Sequence, residues 1–475
     1  MNSNSNIPIV QGTLVSDKHS PYTANNPHGE SLINEQNTIH SNSNSHQQSQ
    51  QPKQFQDVIW AIAFIIHLGG MFVLISLNIS SGGGDESIDA FNGLFFLVGF
   101  TALIAVALSS LTISLMMKYP TEMIKMALIF STILLLVMAI SAFMMGSFLS
   151  GGLGLLFFAF TICYVKAVWS RIPFAAANLN TALTAVKSNI GLAFIAYFIM
   201  VLAFGWSCFF FVGFSNSLNS NNIGIMFLLL LSFYWVHQVL SNTVHVTTAG
   251  TVGTWWFVPG EANGCWSSAI KDSFCRATTY SFGSICFGSL VVAVVQALRA
   301  LAHQARQNED MQLLACLVEC ILACIQDIIE YFNKWAYVYV GLYGFGYVHA
   351  GREVVQLFQN KGWTVMINDD LTDRVLMMVS IGVGVLTGFA GLTITLADQD
   401  ILGNFGVENV PAAGFLVGFL VGVVFSSILM SVVGSAINTV IVCFAESPAE
   451  FEANHPQLSA EMRSSWVSAW PELSI

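Results

Sequence analysis

Long runs of apolar residues follow one another along most of the chain, and they limit its possible folds more than any other feature. The hydrocarbon layer of a bilayer is about 30 Å thick, so a helix needs roughly 20 mainly apolar residues to cross it. A helix also bonds its backbone N–H and C=O groups internally, as lipid requires. Ten such runs are predicted to be spans, at about 58–79, 92–117, 123–148, 153–172, 190–214, 223–247, 281–303, 332–351, 375–397 and 412–444.

The composition excludes other broad classes of protein. Hydrophobic residues make up 55% of the chain and charged residues only 9%, whereas soluble domains are about a quarter charged. A net charge of −11 excludes the basic footprint of a nucleic-acid partner. The nine cysteines form no CxxC pair, which argues against a zinc site or a disulfide framework. We therefore predict an all-α, polytopic membrane helix bundle.

Three regions differ in composition. Residues 1–56 are rich in Asn, Ser and Gln and carry few apolar residues, so we predict a disordered cytosolic tail without a cleaved signal peptide. Residues 57–445 would form the transmembrane transporter domain, and residues 446–475 a cytosolic C-terminal tail.

Segment 312–330 is apolar but carries three acidic residues that would be costly in lipid, Glu319, Asp327 and Glu330. It is therefore predicted to be an amphipathic or buried helix packed against the bundle, not an eleventh span. Three cysteines recur every four residues and share one face of this helix, where packing is their expected role. They are Cys316, Cys320 and Cys324.

The basic residues test the number of spans, because cytosolic loops carry an excess of Lys and Arg. With ten spans and both termini in the cytosol, only Arg299, Arg306 and Lys334 fall in outer segments. An eleventh span would move three more basic residues outside. The only N-x-S/T sequon, at Asn78, lies so close to the outer membrane surface that we expect little or no glycan.

Two spans carry glycines at four-residue spacing, Gly414, Gly418 and Gly422 in the last and Gly384 and Gly388 in the one before it. Small residues at this spacing let helix backbones approach closely. We predict a helix-packing role for these glycines.

Polar and aromatic residues inside the spans are the candidates for a substrate path, because polar groups in lipid are costly. Any single one could be a satisfied hydrogen bond within the bundle, but the sixth and eighth spans carry several. The set comprises His67, Trp235, His237, Gln238, Asn242, His245, Gln296, Asn333, Trp335, Tyr337, Tyr339, Tyr343 and Tyr347.

Five of these residues are predicted to bind substrate. Trp235, Gln238 and Asn242 share one face of the sixth span, which would face Tyr337 and Tyr343 of the eighth across a cavity. The two tyrosines are six residues apart, so only one would complete the cage. Aromatic faces suit a quaternary ammonium, and no membrane-embedded carboxylate pair stands out as its counter-ion.

Motifs of known catalysis are missing from the sequence: there is no HExxH, no Walker loop and no GxSxG. His237 and His245 lie eight residues apart in one helix, unlike the clustered histidines of membrane desaturases. We therefore predict no catalytic residues, no metal and no cofactor. A transporter is favoured, and a channel or a membrane enzyme acting on lipid headgroups stays as the alternative.

Three segments carry a family resemblance. They are WVHQVLSNTVHVTTAGTVGTWWF, SFGSICFGSLVVAVVQALRAL and EYFNKWAYVYVGLYGFGYVHAGREVVQLFQNKG, at 235–257, 281–301 and 330–362. In their order and spacing they resemble the choline transporter-like family. The short loop at 80–91 and the C-terminal AESPAEFEANHPQL are similar to its fungal, plant and protist members.

The resemblance implies a sodium-independent transporter of choline or a related amino-alcohol that works by alternating access. Its partners would be a small organic cation and the lipid bilayer. The plasma membrane is the expected location, with an internal membrane as the alternative. The oligomeric state stays open.

Overall fold

The structure, a computed structural model, describes residues 53–80, 92–217, 223–306, 312–361, 363–403 and 408–470. Within these ranges the chain forms helices and no strands, which confirms the predicted all-α class. The predicted N-terminal tail, 1–56, lies almost wholly outside them.

Sixteen α-helices make up these ranges. In chain order they are α1 (Val58–Ser80), α2 (Asn92–Lys118), α3 (Pro120–Met144), α4 (Phe148–Val168), α5 (Ile172–Ser188), α6 (Gly191–Ser217), α7 (Ile223–Phe257), α8 (Ser268–Thr278), α9 (Phe282–Ala305), α10 (Gln312–Tyr343), α11 (Tyr347–Lys361), α12 (Trp363–Ala397), α13 (Asp400–Gly403), α14 (Val410–Glu446), α15 (Pro448–Asn454) and α16 (Pro456–Ala469).

The apolar helices confirm a multi-pass membrane protein. In the part of the chain that the structure describes, eight helical stretches are long and apolar enough to cross a bilayer, and α1 adds a shorter apolar one. The stretches lie in α2, α3, α4 with α5, α6, α7, α9, α12 and α14. The count of ten spans and the cytosolic position of both termini stay predictions, as does the absence of a glycan on Asn78 near the end of α1.

The predicted boundary between segment 312–330 and an eighth span at 332–351 is wrong. One continuous helix, α10, joins the first segment to the first half of that span. It ends at Tyr343, and Gly344 follows with a φ of +67°, a backbone conformation that favours glycine. The last part of the predicted span starts the separate helix α11.

Helix α10 runs antiparallel to α9, and two of its acidic residues, Glu319 and Glu330, face that helix. Glu319 pairs with His303 (Nδ1 to Oε1, 3.3 Å) and with Arg306 (3.6 Å) at one end. Farther along, Gln296 Nε2 donates to Glu330 Oε1 over 3.1 Å. These partners reduce the cost of placing carboxylates in the bundle. Packing is the expected role of three cysteines on α10, of which Cys316 is half-buried and Cys320 and Cys324 are exposed.

The glycines of α12 and α14 form the close contact that their spacing predicts. A Cβ added to Gly418 would collide with the carbonyl oxygen of Thr387, and one added to Gly422 would collide with that residue's hydroxyl. A Cβ on Gly391 would meet the carbonyl oxygen of Gly414. The two backbones are therefore in direct contact, and α12 and α14 form a tight pair, which confirms the packing role.

Asp57 connects the start of α1 to two other helices. Its carboxylate accepts a hydrogen bond from Ser284 Oγ (2.7 Å) in α9 and another from the backbone N–H of Tyr347 (2.8 Å). Tyr347 is the first residue of α11, where backbone N–H groups have no helical partner. Asp57 thus holds the break between α10 and α11 against the beginning of the bundle.

The segment after α14, predicted as a C-terminal tail, folds against α7. Asn454 Nδ2 donates to the carbonyl oxygens of Trp256 (3.0 Å) and Phe257 (2.9 Å), and His455 Nε2 donates to that of Trp255 (3.0 Å). Carbonyls in the last turn of a helix need partners from outside it. The C-terminal segment provides them and caps α7.

Candidate functional site

A cavity of about 560 Å³ lies among α7, α9, α10, α12 and α14. One wall comes from α7, where Gln238, Ser241, Asn242 and His245 lie on a single helix face. Asn242 Nδ2 donates to Ser289 Oγ in α9 over 3.0 Å, which fixes the amide against the neighbouring helix.

His245 joins three of the cavity helices. Its Nε2 donates to the backbone carbonyl of Lys334 in α10 over 2.7 Å, and its Nδ1 lies 2.5 Å from Ser435 Oγ in α14. Both ring nitrogens are therefore committed to the walls. The residue positions helices instead of offering a free imidazole to a ligand.

Among the described residues, three charged side chains line the cavity, and two of them form an ion pair. Lys334 Nζ lies 3.2 Å from Asp373 Oδ2 of α12. The third, Glu330, accepts two amide hydrogen bonds on Oε1, from Gln296 (3.1 Å) and Gln326 (2.8 Å). Among the described residues, no basic side chain pairs with Glu330. The described lining thus carries one uncompensated negative charge.

The sequence missed both carboxylates as candidates for the site. Glu330 lies in segment 312–330, which is not predicted to be a span. Asp373 lies just before the predicted ninth span, 375–397. A signal was present in the sequence: Gln296 and His303 on α9 can face Glu330 and Glu319 on an antiparallel neighbour. To use this signal, one must know that α9 and α10 lie side by side, and a hydropathy profile does not show which helices are neighbours.

Of the five predicted binding residues, Gln238 and Asn242 line the cavity and Trp235 does not. The Trp235 side chain is 4% exposed, and its indole N–H donates to the Cys286 carbonyl over 3.0 Å. Its ring packs at 5.1 Å from that of Phe64 in α1. The indole therefore faces α1 and α9, although it is only one turn from Gln238.

The two predicted tyrosines also lie outside the cavity lining. Tyr337 is fully buried and donates its hydroxyl proton to the Ile285 carbonyl over 3.1 Å. Tyr343 lies at the end of α10, where its hydroxyl donates to Glu446 Oε2 over 2.6 Å. The structure therefore does not bring the five residues together as an aromatic cage. Residue spacing indicates which side chains share a helix face, but it does not indicate which helix lies opposite or how deeply each side chain is buried.

The remaining lining comes largely from α12 and α14 and mixes apolar side chains, such as Leu376, Met377 and Met430, with polar ones. The serine and asparagine residues of these apolar helices were not selected from the sequence as candidates for the site. No Phe, Tyr or Trp side chain belongs to the lining that the structure describes. The residues missed are Ser380, Ser427, Ser431, Ser435 and Asn438.

Comparison with known proteins identifies relatives over the same region. A family described as plasma-membrane choline transporters matches residues 152–449. This range contains all five cavity helices, and it covers more than half of the chain.

Individual relatives come from fungi and a slime mould. Protein PNS1 of Mycosarcoma maydis is 29% identical over 391 residues, which cover 74% of this chain and 73% of that protein. A CTL-like protein of Dictyostelium discoideum is 25% identical over 370 residues, 74% of this chain and 66% of its own. Protein pns1 of Aspergillus fumigatus is 30% identical over 286 residues, 53% and 52% of the two chains.

Proposed function

Because the chain belongs to the family of plasma-membrane choline transporters, we propose that it carries choline or a related amino-alcohol across the plasma membrane without sodium. The proposed activity is transport of an organic cation, not catalysis.

The observation that carries the proposal is the uncompensated carboxylate of Glu330 in the cavity wall. Since Lys334 and Asp373 neutralise each other, one monovalent cation balances the charge of the described lining. The volume of about 560 Å³ falls within the range of small-molecule sites, roughly 300–1,000 Å³. Gln238 and Asn242 would orient the bound molecule.

The same charge count supports sodium independence. A site with a single uncompensated carboxylate becomes neutral once one organic cation has bound. No negative charge then remains in the described lining to attract a sodium ion. We therefore propose that the organic cation is the only cation that the cavity takes up.

In alternating access, two groups of helices would move relative to each other. One group is the α12–α14 pair, and the other consists of α7, α9 and α10. The glycine contacts make α12 and α14 one stiff unit. The cavity lies between that unit and the other three helices. A relative rotation of the two groups would open the cavity to one side of the membrane and close it to the other.

The test is uptake of radiolabelled choline and ethanolamine by the purified protein in liposomes. We expect saturable, mutually competing uptake that is unchanged when potassium replaces sodium, and none in protein-free liposomes. A conductance that does not saturate would indicate a channel instead. Headgroup turnover without flux would indicate a membrane enzyme.

A further inference from the structure

The cavity wall combines apolar side chains, such as Leu376 and Met430, with hydrogen-bonding groups, and its described part contains no Phe, Tyr or Trp. The hydrogen-bonding groups are the Glu330 carboxylate, the amides of Gln238, Asn242 and Asn438, and hydroxyls from α12 and α14. The rings nearest in sequence point elsewhere, as the contact of Trp235 with Cys286 shows. Such a wall can accept hydrogen bonds, and in its described part the only ring is the His245 imidazole, whose two nitrogens are both bonded to the walls.

Two polar groups in the lining can form further hydrogen bonds. Both hydrogen bonds to Glu330 fall on Oε1, and in the described part of the chain Oε2 receives none. The Asn438 side chain is 6% exposed, and its amide makes no hydrogen bond to any described residue. A ligand in the cavity that carries N–H or O–H donors can form hydrogen bonds with these groups.

Ammonium ions differ in whether they can make such bonds. A primary ammonium carries three N–H donors, whereas a quaternary ammonium carries none and relies on aromatic faces. In this cavity the methyl groups of a quaternary ion would displace water from the carboxylate and amides without replacing its hydrogen bonds. That exchange is unfavourable.

From these observations we propose that the cavity selects ammonium ions that carry N–H groups, such as ethanolamine, over quaternary ions such as choline. The inference rests on the proposed function and narrows its substrate class. Glu330 would accept hydrogen bonds from the ammonium through Oε2, and Asn438 is placed to bond the ligand from α14.

A methylation series tests the proposal without any mutation. Ethanolamine, its N-methyl and N,N-dimethyl derivatives and choline carry three, two, one and no N–H groups. Their dissociation constants for the purified full-length protein in nanodiscs can be measured by calorimetry. A hydrogen bond to a charged group is worth about tenfold or more in affinity, so we expect Kd to rise along the series by at least that factor. A constant Kd, or the lowest Kd for choline, would overturn the proposal.

Two variants locate the effect. Glu330→Gln removes the carboxylate, and we expect it to raise the Kd of ethanolamine about tenfold or more while affecting choline less. Glu319→Gln is the matched control, because it lies three turns away on the same face of α10 and pairs with Arg306 outside the cavity. If Glu330→Gln does not fold, Asn438→Ala replaces it. Unchanged ethanolamine binding in the folded variant would contradict the proposal.

Flux measurements on the same series separate this inference from the proposed function. Preferential binding of ethanolamine without flux of any member would support the selective site and refute transport. Flux that is fastest for choline at limiting concentration would support transport and refute the selectivity.

Discussion

At the scale of single residues, the ion pair of Lys334 and Asp373 sets the charge of the cavity. Asp373→Asn removes one negative charge and leaves Lys334 and Glu330. The net charge of the three positions 330, 334 and 373 therefore rises from −1 to zero. We expect weaker binding of a cationic substrate and a KM raised about fivefold, which corresponds to about 1 kcal/mol across a partly aqueous cavity. The measurement is uptake in liposomes at varied substrate concentration.

The matched control for Asp373→Asn is Glu122→Gln. Glu122 also pairs with a lysine, Lys125, at 3.0 Å, but it lies on α3 outside the cavity lining. We expect no change of KM in this variant. A KM that falls in Asp373→Asn would contradict the charge count.

The residues of the site were only partly predictable. Gln238 and Asn242 stood out because a polar residue inside an apolar run is costly and therefore needs a purpose. Glu330 did not stand out as a site residue, since its partners Gln296 and Gln326 become visible only when α9 and α10 lie side by side. The aromatic residues Trp235, Tyr337 and Tyr343 do not line the cavity, and aromatic rings pack helices together as readily as they bind cations.

At the scale of helices, the contact of α12 with α14 depends on glycine. Gly418→Leu would force a side chain into the backbone of Thr387, so we expect a loss of stability of about 3 kcal/mol or more. Gly382→Leu is the control, because a Cβ at this exposed position on α12 meets nothing within 4 Å. Thermal unfolding of the purified variants measures the difference. Equal stability of the two would mean that the glycine contact is unimportant.

Helix boundaries show what the sequence could and could not give. The ends of the strongly apolar helices agree with prediction to within a few residues for α2 and α9, because hydrophobic length is a direct requirement of the bilayer. Helix α10 was divided wrongly because the acidic residues of 312–330 were treated as too costly for lipid, and the partners of Glu319 and Glu330 on α9 become visible only in the fold. The true break, at Gly344, is marked by a glycine that ends the helix.

At the scale of the whole molecule, the helix order bears on the topology. If α10 crosses the membrane in place of 332–351, the number of spans stays even and both termini stay on one side. We predict that tags at both ends are protected from protease added to intact cells and are cleaved after permeabilisation. Cleavage of one tag in intact cells would show an odd number of spans.

The capping of α7 by Asn454 and His455 has a consequence for how the protein is made. The carbonyl groups at Trp255, Trp256 and Phe257 are synthesised about 200 residues before the side chains that bond them. At about 5–20 residues per second, a ribosome needs about 10–40 s to cover that distance. Throughout this interval the end of α7 lacks these partners and must rely on water or a chaperone. Insertion can therefore proceed span by span, but this end of the bundle is sealed only after residue 455 has emerged.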